Sequence, residues 1–272
     1  MGTSGIVSFI IIAVTSYISY KGFKSSNFYA SLEFEVEKIL LYRDYKRLVT
    51  SGFVHVNWQH LLFNMLSLLF FSFPLESAFG PIKFIALYFA SLVGGNLLAL
   101  LIHKKNPSYA SAGNSGAING LIFASIAIFP NLHILFLPGW VFGLIFILYS
   151  IYGVRSRRDN IGHESHLGGA LIGMLVAIAF KPSSLVDNTI PIVLMFLPTI
   201  AFMMIIITRP QLLFVDNYWY THKYNYTVDD RYNARKRNSE QEVDRILDKI
   251  NQQGINSLSR RERESLEEYS RK

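Results

Sequence analysis

The sequence contains no cysteine among its 272 residues. Without thiols, the chain cannot form disulfides, bind a metal through sulfur or use a cysteine nucleophile, and its redox compartment is left undetermined. Charged residues are also scarce, at 17% of the chain, whereas hydrophobic residues make up 51%. Internal repeats and low-complexity tracts are lacking as well. This composition indicates a protein that crosses a membrane several times.

Long uncharged apolar blocks are what the sequence does contain. Each is roughly 15–21 residues long, against the ~20 residues that cross a hydrocarbon core about 30 Å thick. We predict six spans and a seventh in the last block. The first block lacks the basic start and the A-x-A-like cleavage site of a signal peptide, so we expect it to be retained. The blocks lie near residues 5–20, 61–75, 84–102, 113–129, 132–152, 166–180 and 190–207.

These blocks predict an all-α polytopic membrane bundle with three parts. Residues 1–182 form a six-span core, residues 183–208 a seventh membrane segment, and residues 209–272 a soluble basic tail with short helices. Helical spacing of apolar residues and a capping box predict two short helices in the tail. The apolar residues are Val243, Ile246, Leu247 and Ile250, and the capping box is Ser259 with Glu262.

The longest connector, residues 21–58, is too apolar for a solvated linker. Phe34, Val36 and Ile39 are interleaved with charged residues, so we expect an amphipathic element lying in the membrane interface. The net charge of +7 suggests an acidic partner. Because the tail has no recognisable nucleic-acid-binding motif, we expect its partner to be the anionic lipid bilayer and not nucleic acid.

Two apolar blocks open with residues that carry chemistry. Ser115 follows Gly113 at the start of one block, and His166 stands at the start of another. Polar groups inside hydrocarbon cost several kcal/mol unless they are paired, so intramembrane polar residues suggest function. A neutral imidazole can take the proton of a serine and return it to a leaving amine. Each signal alone is weak, since a lone membrane histidine is often structural.

Glycines at helical spacing would bring these two helices together. Small residues four apart let two helix backbones approach closely, which a hydrogen bond between Ser115 and His166 requires. Two such faces follow the two candidate residues, although this pattern often serves packing alone. The glycines are Gly116 with Gly120 and Gly169 with Gly173.

A second histidine and an asparagine lie one turn apart at the start of the second predicted span. His60 and Asn64 share one helix face at i, i+4. Neutral side-chain donors aimed at one point are what an oxyanion hole requires. The alternative is structural, with Asn64 bridging helices and His60 tying the loop to the membrane surface.

The order and spacing of these residues resemble the rhomboid family of intramembrane serine proteases. The matching runs extend from about Tyr45 to Phe180. Three further runs, near residues 47–50, 75–80 and 158–163, resemble a subgroup of Bacteroidetes-type bacteria. The main runs are His55-Val56-Asn57-Trp58-Gln59-His60-Leu61-Leu62-Phe63-Asn64-Met65, Gly113-Asn114-Ser115-Gly116 and His166-x-x-Gly169-x-x-x-Gly173.

The resemblance implies a function and a set of site residues. Ser115 would be the nucleophile and His166 the base, without a third acidic member. His60, Asn64 and the backbone N–H of Ser115 would hold the oxyanion. The substrate would be a transmembrane helix of another membrane protein, cut near its boundary in the bacterial cytoplasmic (inner) membrane. The resemblance implies no metal and no cofactor.

One residue departs from the family pattern. Asn114 stands where family members usually have a small residue, most often alanine. Its carboxamide could add an oxyanion donor, or it could bond Ser115 and hold it away from the base. An inactive rhomboid-like protein that binds client helices is therefore the alternative function.

A metal site is the remaining candidate from sequence. His163 lies one turn before His166, but only Glu164 stands beside it as a carboxylate. A structural zinc site uses four ligands, so this pair is not expected to hold a metal.

Overall fold

The computed structural model describes residues 5–129, 131–134, 136–156 and 162–208, together with residues 246, 249, 250, 258, 262 and 266. Regular structure in these ranges is almost entirely helical, which confirms the predicted all-α class. The helices are α1 Ile6–Lys24, α2 Ser26–Leu32, α3 Val36–Leu40, α4 Arg47–Thr50, α5 Trp58–His103, α6 Ser115–Ile128, α7 Gly139–Ser156, α8 His163–Phe180, α9 Ser184–Asp187 and α10 Thr189–Thr208. A 3₁₀ turn occupies Ser51–Phe53.

In the described ranges, four two-residue strands form two short antiparallel pairs. The pairs are β1 Phe34–Glu35 with β2 Ala110–Ser111, and β3 His133–Ile134 with β4 Leu137–Pro138. The second pair replaces the first residues of the block predicted at 132–152. Helix α7 therefore begins later than expected.

The apolar helices correspond in order to the seven predicted blocks. Helices α1, α5, α8 and α10 are long and apolar enough to cross a membrane, and α6 and α7 are shorter apolar helices. Helix α5 has 46 residues, but its backbone is not helical at Gly80, so it consists of two helical halves. Together they contain about 69 Å of helix, more than twice a hydrocarbon core. Gly80, with φ of 77°, turns the chain ahead of Pro81. The two halves of α5 therefore account for two crossings.

Helix α6 lies at the centre of the bundle. Every residue from Gly116 to Ile128 is buried, so α6 has no lipid-facing side. Its 14 residues span about 21 Å, less than the ~30 Å hydrocarbon thickness. At least one end of α6 therefore lies within the depth of the membrane.

Helices α6 and α8 meet at the four glycines named above. A Cβ on Gly169 would overlap the carbonyl of Gly116, and a Cβ on Gly173 would overlap the backbone of Gly120. Neither clash can be relieved by a side-chain movement, because the atoms in the way are backbone. Glycine at these positions is therefore what permits this helix separation.

The connector between α1 and α5 folds back against the bundle. Phe34, Val36 and Ile39 are buried, while Leu40 and Leu41 are exposed, as an amphipathic element in an interface requires. The buried Arg47 side chain donates to the carbonyl of Ala30 at 2.9 Å and to that of Glu33 at 2.6 Å. These contacts close the connector on itself, and the pairing of β1 with β2 holds it beside the residues that precede α6.

A buried carboxyl group joins α1 to α5. Glu76 is 1% exposed. Its Oε1 accepts from the Val7 N–H at 3.1 Å, and its Oε2 accepts from the Ser8 N–H at 3.0 Å and the Ser8 hydroxyl at 2.6 Å. These N–H groups lie in the first turn of α1, where a helix has no internal acceptors. Glu76 therefore caps α1 from another helix.

The tail forms a separate compact unit, Val215–Lys272. Ile246 is fully buried, and Lys249 Nζ contacts Glu262 Oε2 at 2.9 Å. Residues 246, 249 and 250 are helical, in line with the predicted spacing. Val243, Leu247 and Ser259 lie outside the described residues, so the capping box stays a prediction.

Candidate active site

Ser115 and His166 form a direct hydrogen bond. The Nε2 atom of His166 lies 2.7 Å from the hydroxyl oxygen of Ser115. Ser115 is the first residue of α6, and His166 lies in the first turn of α8. The two helices meet at the glycines described above, so their first turns are held side by side. This distance is within reach for proton transfer from a serine to a base.

The turn before Ser115 depends on a glycine. Gly113 has φ of 116°, a conformation that favours glycine strongly. A Cβ there would come within 2.7 Å of His60 Cε1. Gly113 N–H donates to the carbonyl of Ser51 at 2.9 Å, which ties the turn to the loop before α5. The glycine therefore allows His60 to lie against the segment that presents the serine.

His60 and Asn64 lie in the first two turns of α5, on the side of Ser115. The backbone N–H of His60 donates to the Asn57 side chain at 2.8 Å, which caps α5. The Asn64 Nδ2 atom is buried and without a hydrogen-bond partner. A Cβ on Gly113 would lie 3.6 Å from it. Buried donors without partners are rare and costly, so Asn64 is a candidate donor to a ligand in the cavity.

A cavity of about 740 Å³ connects these residues. It is open enough to admit water, and polar and apolar side chains both line it. The residues that bear on the chemistry are His60, Asn64, Ser115, Asn119, Phe146 and His166. The ring of Phe146, from α7, lies 6.1 Å from the ring of His166.

Sequence reasoning missed three polar residues of this cavity. Asn119 donates from Nδ2 to the Ser115 carbonyl at 2.8 Å. Asn96 donates to the carbonyl of Leu48 at 2.8 Å and accepts from the Ser165 hydroxyl at 3.3 Å. The signal was present, because Asn96 and Asn119 each interrupt an apolar block.

Asn114 adopts neither of the two arrangements considered from the sequence. It is fully buried, and its carboxamide lies 3.2 Å from His55 Nε2 and 3.0 Å from the Tyr88 hydroxyl. Both ends of the carboxamide are therefore engaged away from Ser115. The Asn114 carboxamide does not hold Ser115 away from His166, since the hydrogen bond between Ser115 and His166 is intact.

His163 packs beside His166 in the first turn of α8. Its ring lies 5.9 Å from that of His166 and 5.2 Å from that of Tyr149. Within the described ranges, no three histidine or carboxylate side chains come together in a way that would hold a metal ion.

Comparison with known sequences identifies the family of this chain. Residues 42–183, just over half of the chain, match the Rhomboid domain family. The chain belongs to the rhomboid family. With its apolar helices, this makes it an integral membrane protein. The tail, residues 226–272, matches a family of unknown function (DUF6576).

Named rhomboid relatives come from plants, fungi and bacteria. RHOMBOID-like protein 12, mitochondrial, of Arabidopsis thaliana is 29% identical over 148 residues, 47% of this chain and 44% of the relative. Rhomboid protein 1, mitochondrial, of Saccharomyces cerevisiae is 31% identical over 150 residues, 50% of this chain and 43% of the relative. Rhomboid protease AarA of Providencia stuartii is 29% identical over 169 residues, 53% of this chain and 59% of the relative. The chain thus spans about half the length of these relatives.

Proposed function

We propose that this rhomboid protein is an intramembrane serine endopeptidase. It hydrolyses peptide bonds in or near the transmembrane helices of membrane protein substrates, with Ser115 as nucleophile and His166 as general base. The observation that carries the proposal is the 2.7 Å contact between His166 Nε2 and the Ser115 hydroxyl. Relatives named as proteases support the same reaction class.

The first half of the reaction forms an acyl-enzyme. The Ser115 oxygen attacks the carbonyl carbon of the scissile peptide bond as His166 Nε2 takes the hydroxyl proton. The carbonyl oxygen becomes an oxyanion. When the tetrahedral intermediate collapses, the C–N bond breaks and the leaving amine takes the proton from His166. An ester between Ser115 and the N-terminal fragment remains.

Water completes the cycle. His166 removes a proton from a water molecule in the cavity, and the hydroxide attacks the ester carbonyl. The second tetrahedral intermediate expels the Ser115 oxygen, which recovers its proton from His166. The products are a new carboxylic acid and the restored enzyme. All protons and electron pairs are accounted for without a metal or cofactor.

Three donors would stabilise the oxyanion. The backbone N–H of Ser115 lies in the first turn of α6, where N–H groups have no helical acceptor and the helix dipole favours negative charge. Asn64 Nδ2 is buried without a partner, and His60 lines the same cavity. Such preorganised donors stabilise the developing charge more than they would in water.

The substrate must unwind where it is cut. A carbonyl in an intact helix is held in the helix's own hydrogen bonds and shielded by side chains. We therefore expect substrates with small or helix-breaking residues near the cleaved bond.

Of the three proposed parts, residues 1–182 carry the catalytic machinery, residues 183–208 add a membrane segment and residues 209–272 form the tail. The bacterial cytoplasmic membrane stays a prediction.

A reconstituted cleavage assay tests the proposal. The protein is placed in liposomes with a single-span reporter whose two fragments are resolved by mass. The wild type and Ser125→Ala cleave the reporter, and Ser115→Ala leaves it intact. Ser125 is the matched control, because it is a buried serine ten residues further along the same helix. A wild type that binds the reporter without cutting it would support the client-binding alternative instead.

A further inference from the structure

A chain of buried hydrogen bonds ends at the residue before Ser115. His55 Nδ1 lies 2.9 Å from the Ser19 hydroxyl, and His55 Nε2 lies 3.2 Å from the Asn114 carboxamide. The other end of that carboxamide lies 3.0 Å from the Tyr88 hydroxyl. We call Ser19, His55, Tyr88 and Asn114 the Asn114 network. All four residues are fully buried, and they come from α1, the loop before α5, the second half of α5 and the start of α6.

The hydrogens in the Asn114 network run in one direction. Burial, with a smaller contribution from His60, lowers the pKa of His55 to about 3, so its ring is neutral and carries one N–H. His55 Nε2 lies against the carboxamide oxygen of Asn114, which can only accept, so the ring N–H is on Nε2. His55 Nδ1 is then the acceptor for the Ser19 hydroxyl at 2.9 Å, and the Phe53 carbonyl lies 3.0 Å from the same hydroxyl.

The carboxamide of Asn114 bridges His55 and Tyr88. Its Oδ1 accepts from the His55 Nε2–H, and its Nδ2 donates to the Tyr88 hydroxyl. Asn114 is fully buried and does not line the cavity. An oxyanion role for it is not compatible with these contacts.

The network holds the backbone on which Ser115 is mounted. The Asn114 carbonyl accepts the Ile118 N–H at 3.0 Å, so Asn114 is the residue where the helical hydrogen bonds of α6 begin. The ring of His55 also packs edge-on against that of His60, with centroids 4.9 Å apart. One network therefore contacts both the segment that presents the serine and one of the oxyanion candidates.

We propose that Asn114 is a positioning residue that sets the attack geometry of Ser115 by anchoring the start of α6 to His55 and Tyr88. This inference rests on the proposed protease function. An alanine at position 114, although usual in the resembled family, would leave His55 Nε2 and the Tyr88 hydroxyl buried without partners in this chain. Buried polar groups in that state force their surroundings to rearrange.

The test measures the reactivity of Ser115 itself. A fluorophosphonate reacts with an activated serine by forming an O–P bond and expelling fluoride, while the hydroxyl proton passes to the base. The second-order labelling rate and the kcat and KM for a reporter are measured for the wild type, Asn114→Ala, Tyr88→Phe and the double variant. The matched control is Asn188→Ala, which removes a buried asparagine at the other end of α6.

We expect Asn114→Ala to lower the labelling rate and kcat about 10- to 100-fold with little change in KM, because small displacements of a nucleophile are costly. Tyr88→Phe should have a smaller effect, and the double variant should equal Asn114→Ala. Asn188→Ala should shift the thermal midpoint as much as Asn114→Ala while labelling at the wild-type rate.

Three results would overturn the inference. One is an Asn114→Ala labelling rate within twofold of the wild type. Another is an equal loss of labelling in Asn188→Ala, which would make the effect one of stability. The third is a double variant whose effect is the product of the two single effects. The proposed function fails separately, if wild-type Ser115 neither labels nor cleaves, and the inference then falls with it.

Discussion

The two ends of helix α6 use the same residue type for different purposes. At the C-terminal end, Asn188 Nδ2 donates to the carbonyls of Ile126 at 2.6 Å and Ala127 at 3.3 Å, groups that a helix end leaves unpaired. At the N-terminal end, Asn114 bonds to side chains, and Ser115 lines a cavity. The backbone carbonyls at the C-terminal end are paired within the protein. At the N-terminal end, the proposed function leaves the Ser115 N–H for a substrate.

Among substitutions that distinguish the two ends of α6, loss of the proposed base should have the largest effect on cleavage. His166→Ala should lower reporter cleavage by about 10⁴-fold or more, since loss of the base of a serine protease costs up to about 10⁶-fold in kcat. The measurement is initial cleavage rate in liposomes. Retention of more than a hundredth of wild-type cleavage would exclude His166 as the base and would weaken the contrast.

A second effect at the same end concerns the oxyanion. Asn64→Ala should lower kcat by about 100- to 1000-fold with little change in KM, the usual cost of one oxyanion donor. The control is Ser67→Ala, one turn further along α5 and lining the same cavity. An equal loss in both variants would indicate that the cavity wall, and not a donor at position 64, is what matters.

In the middle of α6, we expect substitutions to affect helix packing and stability more than catalysis. Gly173→Ala places a Cβ against the Gly120 backbone and should lower the free energy of unfolding by about 1–3 kcal/mol. Gly143→Ala is the control, because its Cβ would meet the flexible Met195 side chain. Equal unfolding midpoints for the two variants in detergent would contradict the role of the glycine contact.

The C-terminal end should affect stability alone. Asn188→Ala leaves the Ile126 and Ala127 carbonyls buried without their donor and should cost about 1–3 kcal/mol of unfolding free energy. Reporter cleavage, measured well below the unfolding temperature, should stay within about twofold of the wild type. A larger loss of cleavage would show that both ends of α6 serve catalysis, which removes the contrast.

The smallest effect is a pH dependence at the N-terminal end. The pKa of His55 is lowered to about 3 in the folded protein, against about 6.5 when unfolded. The unfolded chain therefore binds the proton first, and the stability contributed by neutral His55 is lost as pH falls below about 6.5. This amounts to about 1 kcal/mol between pH 7 and pH 5.5.

His55→Gln provides the comparison for this pH effect. The variant should unfold at a midpoint that depends less on pH over the same interval. The same slope in the wild type and in His55→Gln would mean that another group titrates there.

The membrane spans and the approach of Ser115 to His166 could be predicted from the sequence, because both depend on local patterns. Apolar block length reports crossings, and glycines at i, i+4 report a close helix contact. The direction of the Asn114 carboxamide is different in kind. It depends on Tyr88 and His55, 26 and 59 residues away, so tertiary neighbours decide it and no local pattern does.

The turn within α5 also separates what the sequence predicts from what it does not. Separate apolar blocks on either side of Gly80 are visible in the sequence, and they predict two crossings correctly. The conformation of Gly80, with φ of 77°, and the β pairing of residues 34–35 with 110–111 depend on the folded chain. These features position the site's loops without leaving a periodic signal.

The contact between Glu76 and the start of α1 has a consequence for assembly. The Glu76 carboxyl group accepts its hydrogen bonds from the start of α1, which takes the place of water as its partner. If the two segments entered the bilayer apart, Glu76 would face hydrocarbon with no donor, at a cost of several kcal/mol. We therefore expect α1 and the first half of α5 to pair early during membrane insertion.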